Sequence, residues 1–108
     1  MNTTLQECIA ACYKCAAACD YCASSCLNEP DIDMMRNCIK TDIECSAICR
    51  LAAQLMGMNS EYHKQQCRLC VDICRACAEE CARHEHEHCK HCAEACRQCA
   101  DACLRMLA

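Results

Sequence analysis

The sequence has little of the material from which most protein cores are built. It contains no Phe, no Trp and only three Tyr among 108 residues. It also has a single Gly and a single Pro, which excludes a turn-rich all-β fold, a collagen and a flexible linker. No apolar run approaches the roughly 18 residues of a transmembrane helix. The scarcity of aromatic residues and the net charge of −4 also argue against a nucleic-acid-binding surface.

Residues 1–7 lack a basic segment, an apolar segment and a twin Arg, and so do not look like a signal peptide. We therefore expect a soluble protein of the cytosol, where thiols are kept reduced. The expectation matters because 19 of the residues are Cys. An odd number cannot pair completely within one chain, and Leu or Ile would bury more area per site than inert Cys. A metal site or thiol redox chemistry accounts better for so many thiols.

The Cys residues recur at steps of three and four. The pattern C-x2-C-x3-C-x2-C-x3-C occurs in full three times, beginning at Cys12, Cys67 and Cys89. Such steps place side chains on one stripe of an α-helix, facing a partner helix. A further copy is degenerate, because three of its six positions carry residues other than Cys. Those six positions hold Cys38, Asp42, Cys45, Cys49, Ala52 and Met56.

Four copies of one helical unit predict a single all-α domain over residues 1–108. The short breaks between the copies favour an up-down-up-down four-helix bundle with a Cys-lined core. The third break is inferred from the step of eight between Cys81 and Cys89, which would rotate the stripe of a continuous helix by about 80°. The predicted helices cover about 4–27, 31–56, 60–83 and 87–107.

Stacking the four stripes predicts layers of side chains along the bundle axis. The expected layers are Cys15/Cys49/Cys70/Cys99, Cys19/Cys45/Cys74/Cys96 and Cys22/Asp42/Cys77/Cys92. A buried carboxylate is costly unless it is paired. We therefore expect Asp42 to accept hydrogen bonds from a thiol layer; the alternative is that it turns outward and Thr41 turns in.

A thiol-lined tube suits soft metals, namely Cu(I), zinc and iron–sulfur clusters. Four thiolates around zinc retain a net charge of about −2, and several such sites stacked along one core repel. Cu(I) takes fewer sulfur ligands, and bridging thiolates bring the loaded tube close to neutrality. The ferredoxin spacing of Cys is absent. The column therefore favours Cu(I), with two alternatives left open: a zinc or cadmium thiolate store, and a thiol redox buffer or sensor.

The repeated Cys motif, the degenerate second helix and the His-rich junction at residues 84–91 resemble the bacterial copper storage proteins of the cytosolic type. The resemblance covers essentially the whole chain. It implies a bundle that holds multiple Cu(I) ions without catalytic turnover, and homotetramers of such bundles. It also implies that every Cys is a metal ligand. These are Cys8, Cys12, Cys15, Cys19, Cys22, Cys26, Cys38, Cys45, Cys49, Cys67, Cys70, Cys74, Cys77, Cys81, Cys89, Cys92, Cys96, Cys99 and Cys103.

The family places His residues at one open mouth of the bundle, and the junction matches that location. His84 and His88 also extend the stripe of the third helix by steps of three and four, and His91 adjoins Cys92. Met34 precedes Cys38 by four residues at the same end. We predict His84, His88, His91 and Met34 as further Cu(I) ligands; a solvated turn is the alternative for the His run.

The resulting hypothesis is cytosolic storage and buffering of Cu(I), taken up at the His-rich mouth. We expect delivery by a copper chaperone or a low-molecular-weight thiol donor, and we expect no nucleic-acid or membrane partner.

Overall fold

The computed structural model describes all residues 1–108 and contains four long helices and no strand. The helices are α1 (Thr3–Cys26), α2 (Arg36–Gly57), α3 (His63–Cys81) and α4 (Glu87–Leu107). Consecutive helices pack against each other, and α1 also packs against α4, so the four close into an elongated bundle of 44 × 17 × 17 Å. This confirms the predicted all-α four-helix fold. None of the helices is both long and apolar enough to cross a membrane.

The start of α2 differs from the prediction of a helix from residue 31. A 3-10 turn, Ile32–Met35, precedes the α-helix, which begins at Arg36. Asp31 stands before this turn but makes no side-chain capping hydrogen bond. The tighter winding of a 3-10 turn shifts the phase of the side chains that precede the α-helix.

Helix α3 is shorter at both ends than the predicted span of 60–83. At its start, the Ser60 carbonyl accepts hydrogen bonds from the backbone N–H of His63 (3.2 Å) and from its Nδ1 (2.6 Å), which holds a turn outside the helix. At its end, the N–H groups of Arg83 and His84 bond to carbonyls three residues back. Such bonds tighten and terminate the last turn.

The core of the bundle is built from sulfur and small side chains. Of the 33 buried residues, 19 are Cys, and every one of these has 0% exposed surface. Met35 and Met56 are the largest fully buried side chains, and most of the other buried residues are Ala. The axis of the bundle is therefore a column of thiols, interrupted by the buried side chain of Asp42.

Candidate metal centre

At the middle of the column, thiols from all four helices approach within bonding range of a shared metal ion. The Sγ atom of Cys49 lies 3.6 Å from those of Cys70 and Cys74, and 3.9 Å from that of Cys99. With Cys15, three of these residues form a set of four Sγ atoms that all lie within 4.8 Å of one another. Four thiols at this separation can surround a metal ion without backbone movement.

Neighbouring sets of four thiols share members along the axis. Cys99 belongs to the first two sets below, Cys15 to the second and third, and Cys19 and Cys96 to the third and fourth. A thiolate that belongs to two sets can bridge two metal ions. The sets are Cys12/Cys70/Cys99/Cys103, Cys15/Cys49/Cys74/Cys99, Cys15/Cys19/Cys45/Cys96 and Cys19/Cys77/Cys92/Cys96.

The thiols interleave instead of stacking in the discrete layers expected from the sequence. Cys74 joins Cys15, Cys49 and Cys99, whereas the sequence prediction placed it one layer away from them. Alternating steps of three and four offset successive side chains along a stripe, so the side chains of facing helices interdigitate. This is the physical reason for the difference in register.

Asp42 occupies the column as an acceptor, as expected. Its Oδ1 atom accepts hydrogen bonds from the thiols of Cys77 (3.2 Å), Cys92 (3.3 Å) and Cys81 (3.5 Å). The side chain of Asp42 has no exposed surface. Burial, and then the negative charge that Cys92 and Cys77 carry when ionised, raise the pKa of Asp42 far above its usual range. The raised pKa favours the protonated carboxyl group in the metal-free protein.

One end of the column, which we call the mouth, carries an imidazole beside four thiols. The four are Cys22, Cys26, Cys38 and Cys89, all within 4.8 Å of one another. His88 Nδ1 lies 3.4 Å from Sγ of Cys22, 3.5 Å from that of Cys89 and 3.9 Å from that of Cys26. The mouth therefore combines soft sulfur with a nitrogen donor that binds Cu(I) or zinc.

The thiols of the mouth differ in how readily they lose a proton. The neighbouring thiols, first Cys38 and then Cys81, lower the pKa of Cys22 to about 6. Burial raises the pKa of Cys26 and of Cys89. Of these thiols, Cys22 is therefore the one that most readily gives up its proton to an arriving metal ion.

The structure does not bring the other predicted mouth ligands to the thiols. His84 Nε2 is paired with the Glu80 carboxylate at 2.8 Å, because α3 ends at Cys81 and the stripe does not continue through His84. His91 is exposed on α4. Met34 is 71% exposed whereas Met35 is 1% exposed, because the 3-10 turn brings the second Met inward.

Two acidic residues at the mouth were missed by the sequence reasoning. Glu29 Oε2 contacts Nδ1 of His86 and lies 3.6 Å from Nε2 of His88, and Asp31 Oδ1 lies 3.2 Å from Nε2 of His86. The sequence predicts a break between helices at Glu29 and the start of the second helix at Asp31, and neither prediction gives these carboxylates a role at the mouth. No spacing rule links them to a His run more than 50 residues away.

At the opposite end of the bundle, the last thiols of the column lie next to the thioether of Met56. The Sδ atom of Met56 lies 3.7 Å from Sγ of Cys67, and Met56 is 1% exposed. Leu5, Met106 and Leu107 pack partly buried against the core. The side chains that pack against the core at this end are apolar, and His63, which begins α3 here, is bonded through Nδ1 to the Ser60 carbonyl.

Comparison with known proteins identifies a group with the same architecture. Residues 1–108 match the family described as Csp, copper storage protein. The Cu(I)-bound copper storage protein BsCsp3 is 43% identical, with a TM-score of 0.94 over 98% of this chain and 100% of that one. A cytosolic copper storage protein from Streptomyces lividans, solved with five coppers, is 40% identical, with a TM-score of 0.93 over 96% of this chain and 92% of that one.

A sequence relative in Bacillus subtilis (strain 168) is described as the uncharacterized cysteine-rich protein YhjQ. It is 45% identical over 68 residues, which make up 63% of this chain and 63% of that protein. The alignment therefore spans slightly less than two thirds of this relative, whereas the solved structures match along nearly their whole length.

Proposed function

Because the chain belongs to the copper storage protein family, we propose that it stores and buffers multiple Cu(I) ions in the cytosol, bound to the Cys thiolates that line its core. The sharing of thiols between neighbouring sets of four carries the proposal. A column of bridging thiolates holds close to one Cu(I) per Cys and stays nearly neutral. Storage of this kind requires no catalytic turnover.

The same sharing disfavours a zinc or cadmium store. A tetrahedral site needs four thiolates of its own and keeps a charge of about −2. Cys15, Cys19, Cys96 and Cys99 each belong to two sets, so adjacent sets cannot both be filled in this way. Isolated zinc sites would leave much of the column unused.

Burial of the thiols disfavours a redox buffer or sensor. Redox-sensing Cys residues are accessible to solvent and have low pKa values. Here all 19 Cys have 0% exposed surface, and the nearest Sγ atoms, those of Cys38 and Cys81, lie 3.5 Å apart. Burial instead shields stored Cu(I) from oxidants.

We assign uptake to the mouth. The thiol of Cys22 and Nδ1 of His88 lie next to each other there and offer an arriving Cu(I) ion a mixed sulfur and nitrogen site. Thiols 3.5 to 4.0 Å apart then supply successive ligands toward the interior. The donor is a copper chaperone or a low-molecular-weight thiol complex, and the bundles assemble as homotetramers.

The coordination proposed here can be tested by X-ray absorption at the copper edge of protein loaded anaerobically with increasing Cu(I). We expect sulfur ligation throughout, and short copper–copper scattering that grows with loading as thiolates become bridging. Protein loaded with zinc provides the comparison. Copper sites that remain mononuclear at full loading would contradict the shared-thiolate arrangement.

A further inference from the structure

The ring of His88 lies between the thiols of the mouth and a carboxylate. Nδ1 faces the sulfur atoms, 3.4 Å from Cys22 and 3.5 Å from Cys89. Nε2 is buried and has no hydrogen-bond partner. The carboxylate that faces Nε2 is that of Glu29, whose Oε2 lies 3.6 Å away, just beyond hydrogen-bond range. The two ring nitrogens therefore face chemically opposite surroundings.

These surroundings bear on where the neutral imidazole carries its single proton. If the proton were on Nδ1, the lone pair of Nε2 would point at the Glu29 carboxylate inside the protein, and the two would repel. With the proton on Nε2, the N–H points at the carboxylate oxygen and the Nδ1 lone pair faces the thiols. Only the second tautomer can bind a metal ion at the mouth.

Glu29 is itself fixed in place by a second imidazole. Its Oε2 contacts Nδ1 of His86, whose Nε2 in turn lies 3.2 Å from Asp31. The rings of His86 and His88 stack with centroids 5.3 Å apart and an angle of 4°. The side chains of His86 and Glu29 are 28% and 23% exposed, so their contact is only partly accessible to water.

We propose that Glu29 is a positioning residue for copper uptake: it holds the proton of His88 on Nε2 and so presents the Nδ1 lone pair to the Cys22, Cys26 and Cys89 thiols. The inference rests on the proposed function, because it concerns how the mouth receives Cu(I). A carboxylate that accepts a hydrogen bond from a metal-binding imidazole fixes the tautomer and orientation of the ring. Loss of the carboxylate commonly lowers metal affinity by about 10- to 100-fold.

The tautomer can be read without copper. Nitrogen-15 NMR of the reduced, metal-free protein, at a pH where the imidazole is neutral, distinguishes a protonated Nε2 from a protonated Nδ1. His88→Ala assigns the signal. We expect the proton of His88 on Nε2 in the wild type, and a mixture of tautomers in Glu29→Gln, whose amide can also donate to Nε2. A wild-type His88 protonated on Nδ1 would overturn the proposal even if the variant failed to fold.

Copper uptake provides the second readout. Against a competing chromophoric chelator, Glu29→Gln is expected to bind the first Cu(I) equivalents about tenfold more weakly, with its final capacity unchanged. Glu85→Gln removes the same charge from an exposed residue near the mouth and should match the wild type. Equal affinity of Glu29→Gln and the wild type would contradict the proposal. A low Cu(I) capacity of the wild type would instead refute the storage function, whereas the NMR result would still decide the tautomer of His88.

Discussion

The Oδ1 atom of Asp42 lies 3.2 Å from Sγ of Cys77, in a core where neither residue has exposed surface. The carboxyl group stands at a position of the Cys stripe of α2 where other helices carry a thiol. It interrupts the column with an oxygen acceptor that three thiols share. Asp42 therefore couples the protonation of the core to the stability of the metal-free protein.

This coupling predicts that the reduced, metal-free protein loses stability as pH rises. Burial raises the pKa of Asp42, so the folded protein holds a proton that the unfolded chain releases above about pH 4. The contribution is complete below that pH and declines above it, by up to about 1.4 kcal/mol per pH unit. Asp42→Asn should flatten this decline in the free energy of unfolding, measured by anaerobic urea denaturation between about pH 4 and pH 7.

Asp72→Asn is the matched control for that series, because Asp72 is exposed on α3 and its replacement removes the same charge. Its stability should follow the wild type at every pH. Parallel slopes for Asp42→Asn and the wild type would show that Asp42 is ionised in the folded state.

Removal of one thiol from the middle of the column should cost copper capacity as well as stability. Cys49 lies within 3.9 Å of four other thiols, those of Cys45, Cys70, Cys74 and Cys99. Cys49→Ala should lower the free energy of unfolding by about 1 kcal/mol, because a small cavity remains. Since a bridging thiolate contacts two ions, native mass spectrometry should count one or two fewer Cu(I). A wild-type capacity of only about one ion per four Cys, with one of these ions lost in the variant, would indicate isolated tetrahedral sites instead.

Addition of a thiol to the degenerate stripe should raise capacity. Ala52 is fully buried at a position of α2 that carries Cys in the other stripes. Ala52→Cys is expected to retain one further Cu(I) against a competing chelator. Ala47→Cys, on the exposed face of the same helix, provides the control and should retain none. If both variants gained an ion, burial in the column would not be what holds copper.

The two His residues near the start of α4 should differ in their effect on loading. His88→Ala removes the nitrogen donor beside Cys22, so transfer of the first Cu(I) equivalents from a chelator should slow by about tenfold or more. His91→Ala should load at the wild-type rate, because His91 is exposed and outside the mouth. Stopped-flow absorbance measures both rates. Equal rates for the two variants would place uptake elsewhere.

The periodicity of the sequence predicted the fold and the burial of the Cys residues, because steps of three and four leave a helix only one stripe to bury. The mouth was predictable in part. His88 does face the thiols, but Met34 is exposed because a 3-10 turn shifts the phase before α2. Glu29 could not have been predicted, because its proximity to His88 arises only when the segment between α1 and α2 meets the start of α4 at one end of the bundle.

The central claim is that the column stores Cu(I) on shared thiolates. An anaerobic Cu(I) titration of the fully reduced, metal-free protein against a competing chromophoric chelator, with zinc in parallel, tests it directly. Uptake approaching one Cu(I) for each of the 19 Cys, with displacement of zinc, is the predicted result. Saturation at about one metal ion per four Cys, or zinc that Cu(I) fails to displace, would contradict the account.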